Sequence, residues 1–209
     1  MPNMYEKGFN FEKRRFGLIF GQPVSISTVD YTAQDQTPVL KYTQRKYKTE
    51  VRGPSLVQTP LPNASYYCVH GEYDGINPGD IILPLRADSN TPRLTFISKS
   101  PFEEMTAFRT SRLGAIYNGS TLLYDNIYFE YATTVNYSDK PIHNKVLASD
   151  GTPTNQIIMY TRDLRTFGYD TEGLLFYDKT DSPNTVWAIQ QSTDVGNMSE
   201  LTVKLSEIQ

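Results

Sequence analysis

A chain of 209 residues is long enough for one domain, or for one domain with a small extension, and it can bury a core without covalent cross-links. Its net charge of −3 and its single cysteine exclude a general nucleic-acid-binding charge field and an intrachain disulfide framework. No stretch approaches about 18 consecutive apolar residues, so we expect no membrane-spanning helix and no membrane partner. The 15 tyrosines and 10 phenylalanines exclude an intrinsically disordered chain, and with 13 glycines and 13 prolines they indicate many short strands joined by turns.

The N-terminal segment is predicted to form a short amphipathic helix. Gly21-Gln22-Pro23 ends this pattern, because glycine and proline stop a helix. The helix either packs on its own domain or serves as an arm that docks on a neighbouring subunit. We therefore divide the chain into an N-terminal arm, residues 1–22, and a single β-rich domain, residues 23–209. The large apolar residues recur at near-helical spacing, at Phe9, Phe16, Ile19 and Phe20.

The first half of the remaining chain reads as strands separated by clear turn signals. The proline-rich stretch 53–63 cannot lie inside a sheet and is predicted to be a long extended connection. Pro78-Gly79-Asp80 closes a turn, since proline sets φ at its first central position and glycine supplies the positive φ of the second. Strands are predicted at residues 24–29, 39–52, 66–70, 81–83 and 93–98, the last two pairing as a hairpin.

The second half continues in the same manner. Residues 102–112 fit either a helix or a further strand. Asn118-Gly119-Ser120 predicts the turn of a hairpin within residues 115–124, because Asn118 and Gly119 both tolerate positive φ. Further strands are predicted at residues 126–137, 156–161, 174–177, 185–190 and 201–205. The whole pattern predicts a mainly β chain: an antiparallel β-sandwich or barrel-like domain with long loops and a short N-terminal helix or arm.

Two small groups of residues are candidate sites of chemistry. Cys68 and His70 face the same way in a predicted strand, as a nucleophile and its base would, but no third group orients them. We interpret them as a buried cysteine and a rim histidine. Asp178 and Asp181 lie close in sequence but lack the glycine and closing glutamate of a calcium loop, which favours a solvated loop. We expect no enzymatic activity, no cofactor and no metal.

The densest charge feature of the chain is basic. Basic side chains neutralise phosphates and tyrosines stack on bases, so this segment could touch DNA locally. It could equally be an edge strand protected by its cations, or an arm that meets an acidic partner. Together with Phe9, Phe16 and Phe20, its five cations are our candidate interface residues: Lys41, Arg45, Lys46, Lys48 and Arg52.

Residues 21–117 also follow a recognisable order of motifs. Gly21-Gln22-Pro23 precedes a strand, the proline-containing region 53–63 follows, and the aromatic pair Tyr66-Tyr67 begins the next strand. Then Pro78-Gly79-Asp80 leads into the aliphatic strand at 81–83 and the aromatic strand around Phe96-Ile97-Ser98. In this order the segment resembles small β-rich structural proteins of tailed-bacteriophage virions, encoded in tail and head–tail junction gene modules.

That resemblance implies a function but no catalytic residues. It implies a virion component of the neck, head–tail connector or tail, made in the host cytoplasm and assembled as a symmetric ring. The implied partners are copies of the chain and portal, adaptor or tail components, with room for local contact with DNA. The alternative is a β-sandwich module that recognises carbohydrate or a host surface through exposed tyrosines and Trp187.

Overall fold

The computed structural model confirms a mainly β chain with a short N-terminal helix. It describes residues 14–52, 66–72, 74–85, 93–98, 105–135, 141–143, 145–147, 153–162, 164, 173–180, 184–195 and 198–206. Residues 14–20 are helical. The strands within these ranges are β1 (Gln22–Thr28), β2 (Val39–Arg52), β3 (Tyr66–His70), β4 (Ile81–Pro84), β5 (Leu94–Ser98), β6 (Met105–Arg109), β7 (Arg112–Asn118), β8 (Thr121–Tyr131), β9 (Thr133–Val135), β10 (Pro141–His143), β11 (Lys145–Leu147), β12 (Pro153–Arg162), β13 (Leu175–Asp178), β14 (Thr185–Val195) and β15 (Met198–Leu205).

The chain folds into two compact units. The partition does not test the predicted single domain over residues 23–209, or the arm boundary at residue 22, and both stay predictions. Unit 1 comprises Met1–Val29, Pro38–Leu56 and Tyr66–Arg109, and unit 2 comprises Asp30–Thr37, Val57–Ser65 and Thr110–Gln209.

Unit 1 is a closed antiparallel barrel in the order β1-β2-β3-β6-β5-β4, completed by the pairing of β1 with β4. The long strand β2 bends to follow the barrel because two bulges interrupt its pairing with β1. Gln44 lies in one of these bulges and has a φ of 56°. The barrel core is apolar, and its buried residues are Val24, Ile26, Tyr47, Val69, Ile76, Ile82 and Ala107.

Unit 2 is a seven-stranded antiparallel sheet in the order β11-β12-β15-β14-β13-β7-β8. Strand β12 also pairs with β8, so six of the strands form a ring of pairings around the core. The long strand β8 is bulged like β2, and Asn126 in one of its bulges has a φ of 56°. The buried apolar cluster of this unit is Ile116, Ile127, Phe129, Tyr131, Ile157, Met159, Leu164, Leu174, Phe176, Ile189, Leu201 and Val203.

The predicted hairpin is confirmed, and its turn lies within the predicted segment Asn118-Gly119-Ser120. Asn118 pairs with Thr121, so Asn118 ends β7 and the two-residue loop is Gly119-Ser120. Gly119 alone has a positive φ, of 57°, which suits the first central position of a tight hairpin loop. Within the ambiguous segment 102–112, residues 105–109 form β6. That strand pairs with both β3 and β5, so tertiary pairing outweighs the helical spacing.

The predicted turn at Pro78-Gly79-Asp80 is confirmed. The Asp80 amide donates to the Asn77 carbonyl at 3.0 Å, and Gly79 has a φ of 89°. The buried Asp80 carboxylate accepts from the Asn77 amide and from the Lys41 ammonium, both at 2.8 Å. The turn is therefore tied to strand β2 by an ion pair.

Replacing Gly79 by valine is expected to lower the free energy of unfolding by about 1–3 kcal/mol, because a β-branched residue is strained at this φ. Gly79→Asn is the matched control, since asparagine tolerates positive φ and should retain more stability. Denaturant unfolding of both variants tests the expectation. Equal losses for valine and asparagine would contradict a turn that depends on backbone conformation.

Candidate subunit interface

The helix at residues 14–20 lies directly against the backbone of the barrel. A Cβ atom on Gly17 would come within 2.5 Å of the His70 carbonyl oxygen and 2.6 Å of the Gly71 Cα. A Cβ on Gly21 would come within 2.8 Å of the Tyr47 backbone. Only glycine permits this approach at both positions, so Gly17 and Gly21 allow the helix to pack directly on the backbone of unit 1. The Gly21 amide donates to the Gly17 carbonyl at 2.8 Å and ends the helix.

Beneath the helix, Tyr47 links the barrel core to its rim. Its ring is fully buried, and its hydroxyl donates to the Glu72 carbonyl at 2.5 Å. Burial raises the pKa of Tyr47 to about 12, so the hydroxyl stays a donor across the physiological range. Gly71 fits beside it, because a Cβ there would meet the Tyr47 ring at 2.3 Å. The helix therefore rests on a packed surface.

The outer side of the helix is apolar and exposed. The rings of Phe16 and Phe20 lie 5.0 Å apart, centroid to centroid. Nearby, the Leu85 amide contacts the Pro23 carbonyl at 3.4 Å, and the Leu85 side chain is 47% exposed. Exposed apolar side chains gathered in one patch mark interaction surfaces. The apolar helix face consists of Phe16, Leu18, Ile19 and Phe20, whose exposed fractions are 38%, 51%, 59% and 57%.

Cations border the apolar helix face. Lys46 is exposed opposite Pro23, and half-buried Lys48 is the cross-strand neighbour of His70. The His70 ring lies edge-on to Phe16 with centroids 5.2 Å apart, which places Lys48 beside the helix. We define the cationic rim as Arg14, Arg15, Lys46 and Lys48. An apolar centre with a polar rim is the usual anatomy of a protein–protein interface.

The candidate residues named from the sequence do not all belong to this surface. Lys41 is committed to its ion pair with Asp80, and Arg45 stacks on Tyr42 at 3.6 Å from the ring centroid. The Arg45 guanidinium also donates to the Asp74 carbonyl at 2.8 Å. Phe9 and the side chain of Arg52 lie outside the described residues. The structure thus brings together Phe16, Phe20, Lys46 and Lys48.

Strand alternation and bulges separate these cations, and no local sequence pattern indicated the bulges. Tyr47 points into the barrel core, so its neighbours Lys46 and Lys48 point outward. The bulge around Gln44 then changes the phase, which turns Lys41 toward Asp80. The ion-pair partner of Lys41 lies 39 residues away along the chain and could not be read from a local pattern.

The pair Cys68 and His70 is buried within unit 1. Cys68 is 2% exposed, as predicted, and His70 is 5% exposed at the end of β3. A nucleophile and base enclosed in this way are out of reach of a substrate.

We therefore expect Cys68 to resist thiol reagents such as Ellman's reagent in the native state and to react only when the barrel opens. The amount of thiol that reacts only after denaturant is added measures the fraction of Cys68 that is buried in the native state. The control is Thr28→Cys on a Cys68→Ala background, since Thr28 is exposed on the same barrel and should react at once. Rapid native labelling of Cys68 would contradict its burial.

Unit 2 contains a buried polar network that corrects two expectations. Asp178 is fully buried in β13, not part of a solvated loop, and it pairs with the Arg112 guanidinium at 2.6 Å. The Tyr131 hydroxyl donates to the same carboxylate at 2.7 Å and accepts from the Trp187 indole N–H at 2.9 Å. Trp187 is half-buried rather than exposed. Burial and the bond to Asp178 raise the pKa of Tyr131.

The sequence did contain a signal for this network. Phe176 and Asp178 are two residues apart in one strand, so they share the core-facing side of β13. The partner Arg112 lies 66 residues away and could not be identified from spacing.

Within the part of the chain that the structure describes, no three histidine, cysteine, aspartate or glutamate residues are placed to hold a metal ion. No helix in those residues has the length and hydropathy needed to cross a membrane. Comparisons with known proteins give no match: no family model, no curated protein and no solved structure is significantly similar to this chain.

Proposed function

We propose that this protein is a structural component of a tailed-bacteriophage virion, in the neck, head–tail connector or tail. It acts through subunit contacts in a symmetric ring. The observation that carries the proposal is the apolar helix face, which is held on the barrel by Gly17 and Gly21 and presented outward. The order of motifs over residues 21–117 supplies the virion setting.

The energetics support an assembly role for this surface. Burying an apolar side chain fully is worth roughly 1.5–3 kcal/mol, and the four residues of the apolar helix face are about half exposed. Covering them would contribute on the order of 1 kcal/mol each. A monomer does not gain this free energy, because the apolar helix face stays exposed to water. In a ring, each contact between subunits covers one such face.

Mass spectrometry of purified particles tests the setting. Particles of the phage whose genome encodes this chain should contain it in several copies, at a fixed ratio to the portal protein. A non-structural protein of the same phage serves as the control for contamination. Presence in the infected-cell lysate but absence from the particles would overturn the proposal, and glycan binding by the isolated chain would favour the recognition module instead.

A further inference from the structure

Charge is divided unevenly between the two units. Unit 1 contains 13 lysines and arginines against 9 aspartates and glutamates, a net charge of +4. Unit 2 contains 7 against 14, a net charge of −7. The overall charge of −3 therefore hides two oppositely charged halves, which was not evident from the total. Opposite charges on two parts of one chain favour contact between different parts of two copies.

On unit 1 the cations lie where a contact is expected. Arg14 and Arg15 are exposed on the helix itself, and Lys46 is exposed on the adjacent strand. Arg14 approaches Glu72 only at 3.7 Å, with both side chains substantially exposed, so this pair is weak. The apolar helix face is thus bordered by charge that remains available to a partner.

On unit 2 a largely exposed segment carries two carboxylates whose hydrogen-bond donors are uncharged, with the positive charges of Arg162 and Lys179 nearby. The acidic segment is residues 30–37. Asp30 accepts from the Thr32 hydroxyl at 2.7 Å, and Asp35 accepts from the Thr37 hydroxyl at 2.7 Å and the Asn126 amide at 2.9 Å. The bonds from Thr32 and from Asn126 are the main causes that lower the pKa values of Asp30 and Asp35, respectively. Both carboxylates keep their charge while being fixed in position.

We infer that the apolar helix face and cationic rim of one copy dock on the acidic segment of unit 2 of a second copy. The inference deepens the proposed function and rests on it for its setting, since it names the partner of the candidate interface. When two copies join in this way, the acidic segment of the first copy and the apolar helix face of the second copy are left unused. Repetition of such a head-to-tail contact closes a ring, or extends a filament when the rotation does not close.

A face-to-face contact between two helix faces is disfavoured by the same charges. It would place the cationic rim of one copy against the identical rim of the other, and like charges across an interface oppose association. In the head-to-tail arrangement the rim meets Asp30 and Asp35. Because these charges are exposed, association should weaken as the Debye length falls from about 10 Å at 0.1 M salt to about 3 Å at 1 M.

Charge reversal in the full-length chain tests the arrangement. The rim variant replaces all four rim cations by glutamate (Arg14→Glu, Arg15→Glu, Lys46→Glu and Lys48→Glu), and the segment variant carries Asp30→Lys and Asp35→Lys. Each alone opposes like charges at the contact, so analytical ultracentrifugation should show at least a 100-fold loss of association, on the order of 3 kcal/mol. Mixing the two variants at equal concentration should restore association, because the swapped charges are again opposite across every contact.

The controls separate a specific contact from net charge. Arg109→Glu reverses an exposed positive charge on unit 1, as the rim variant does, and Asp194→Lys reverses an exposed negative charge on unit 2, as the segment variant does. Both positions lie outside the proposed contact, so both variants should associate like the wild type. Thermal unfolding checks that the variants fold. If the lysine variant does not fold, Asp30→Asn with Asp35→Asn takes its place. This variant keeps a side-chain oxygen acceptor at each position but removes the negative charge, so it should also lose association.

Several results would overturn the head-to-tail contact. One is normal self-association of the segment variant, which a face-to-face helix contact gives. Another is a wild-type chain that stays monomeric but binds a fluorescent DNA duplex, with the binding lost when Arg14 and Arg15 are replaced. That result would identify the surface as a DNA-binding site. The particle measurement is independent: head-to-tail association without incorporation into particles would refute the virion setting and leave this contact standing.

Discussion

Replacing Asp178 by alanine is expected to lower the free energy of unfolding by about 3–5 kcal/mol, the usual penalty for removing one partner of a buried ion pair. The carboxylate is fully buried and accepts from the Arg112 guanidinium at 2.6 and 2.8 Å. It also accepts from the Tyr131 hydroxyl and from the Thr180 amide. The variant leaves these donors, one of them charged, without their acceptor in the interior of unit 2.

The neighbouring residue provides a matched control. Lys179 forms an equally close ion pair with Asp125, at 2.5 Å, but these two side chains are 35% and 30% exposed. Solvent screens this pair, so Lys179→Ala should lower the free energy of unfolding by about 1 kcal/mol or less. Urea unfolding of both variants measures the difference. Equal losses would show that burial does not set the strength of these two ion pairs.

A double variant separates the pair from the penalty of an orphaned charge. Arg112→Met combined with Asp178→Leu removes both ions and fills their volume with apolar groups. We expect this variant to be more stable than Asp178→Ala alone, since no charge is left unpaired. A double variant as unstable as the single one would assign the loss to packing and not to electrostatics.

The strands could be predicted from the sequence where both ends carry a strong local signal. Strands β2 and β3 coincide with the predicted segments 39–52 and 66–70, because proline precedes β2 and an aromatic run defines β3. The order of strands in each sheet could not be predicted. It depends on pairings such as β1 with β4, which join residues nearly 60 positions apart.

The division into two units was also beyond sequence reasoning. Residues 30–37 lie between two strands of unit 1 yet belong to unit 2, where Asp35 forms a parallel bridge with Asp125. Nothing local in a polar loop indicates that it will cross to another sheet. The helical placement of Phe16, Ile19 and Phe20 was predictable, because these large side chains recur at near-helical spacing, whereas their role as an interface stays a prediction. The cationic part was predictable only in outline.

The largest functional effect is expected from Ile19→Asp combined with Phe20→Asp, which should abolish self-association. Both side chains are more than half exposed, so the free energy of unfolding of the variant should differ from that of the wild type by about 0.5 kcal/mol or less. In an assembled contact the same change removes two apolar side chains and places two carboxylates in the interface. Sedimentation velocity at matched concentrations measures the association.

The expected loss follows from the area that these residues offer. Covering the exposed part of each side chain is worth about 1 kcal/mol, and each carboxylate placed in the contact adds a desolvation cost, so together the two changes should lower the association constant by at least about 100-fold. Leu205→Asp is the control, since Leu205 is 53% exposed on unit 2, and it should associate normally unless it lies in the contact. If Ile19→Asp with Phe20→Asp associates like the wild type, the apolar helix face is not an interface. An equal loss of association in Leu205→Asp would instead show that the contact extends to the end of β15, because Leu205 is the last residue of that strand.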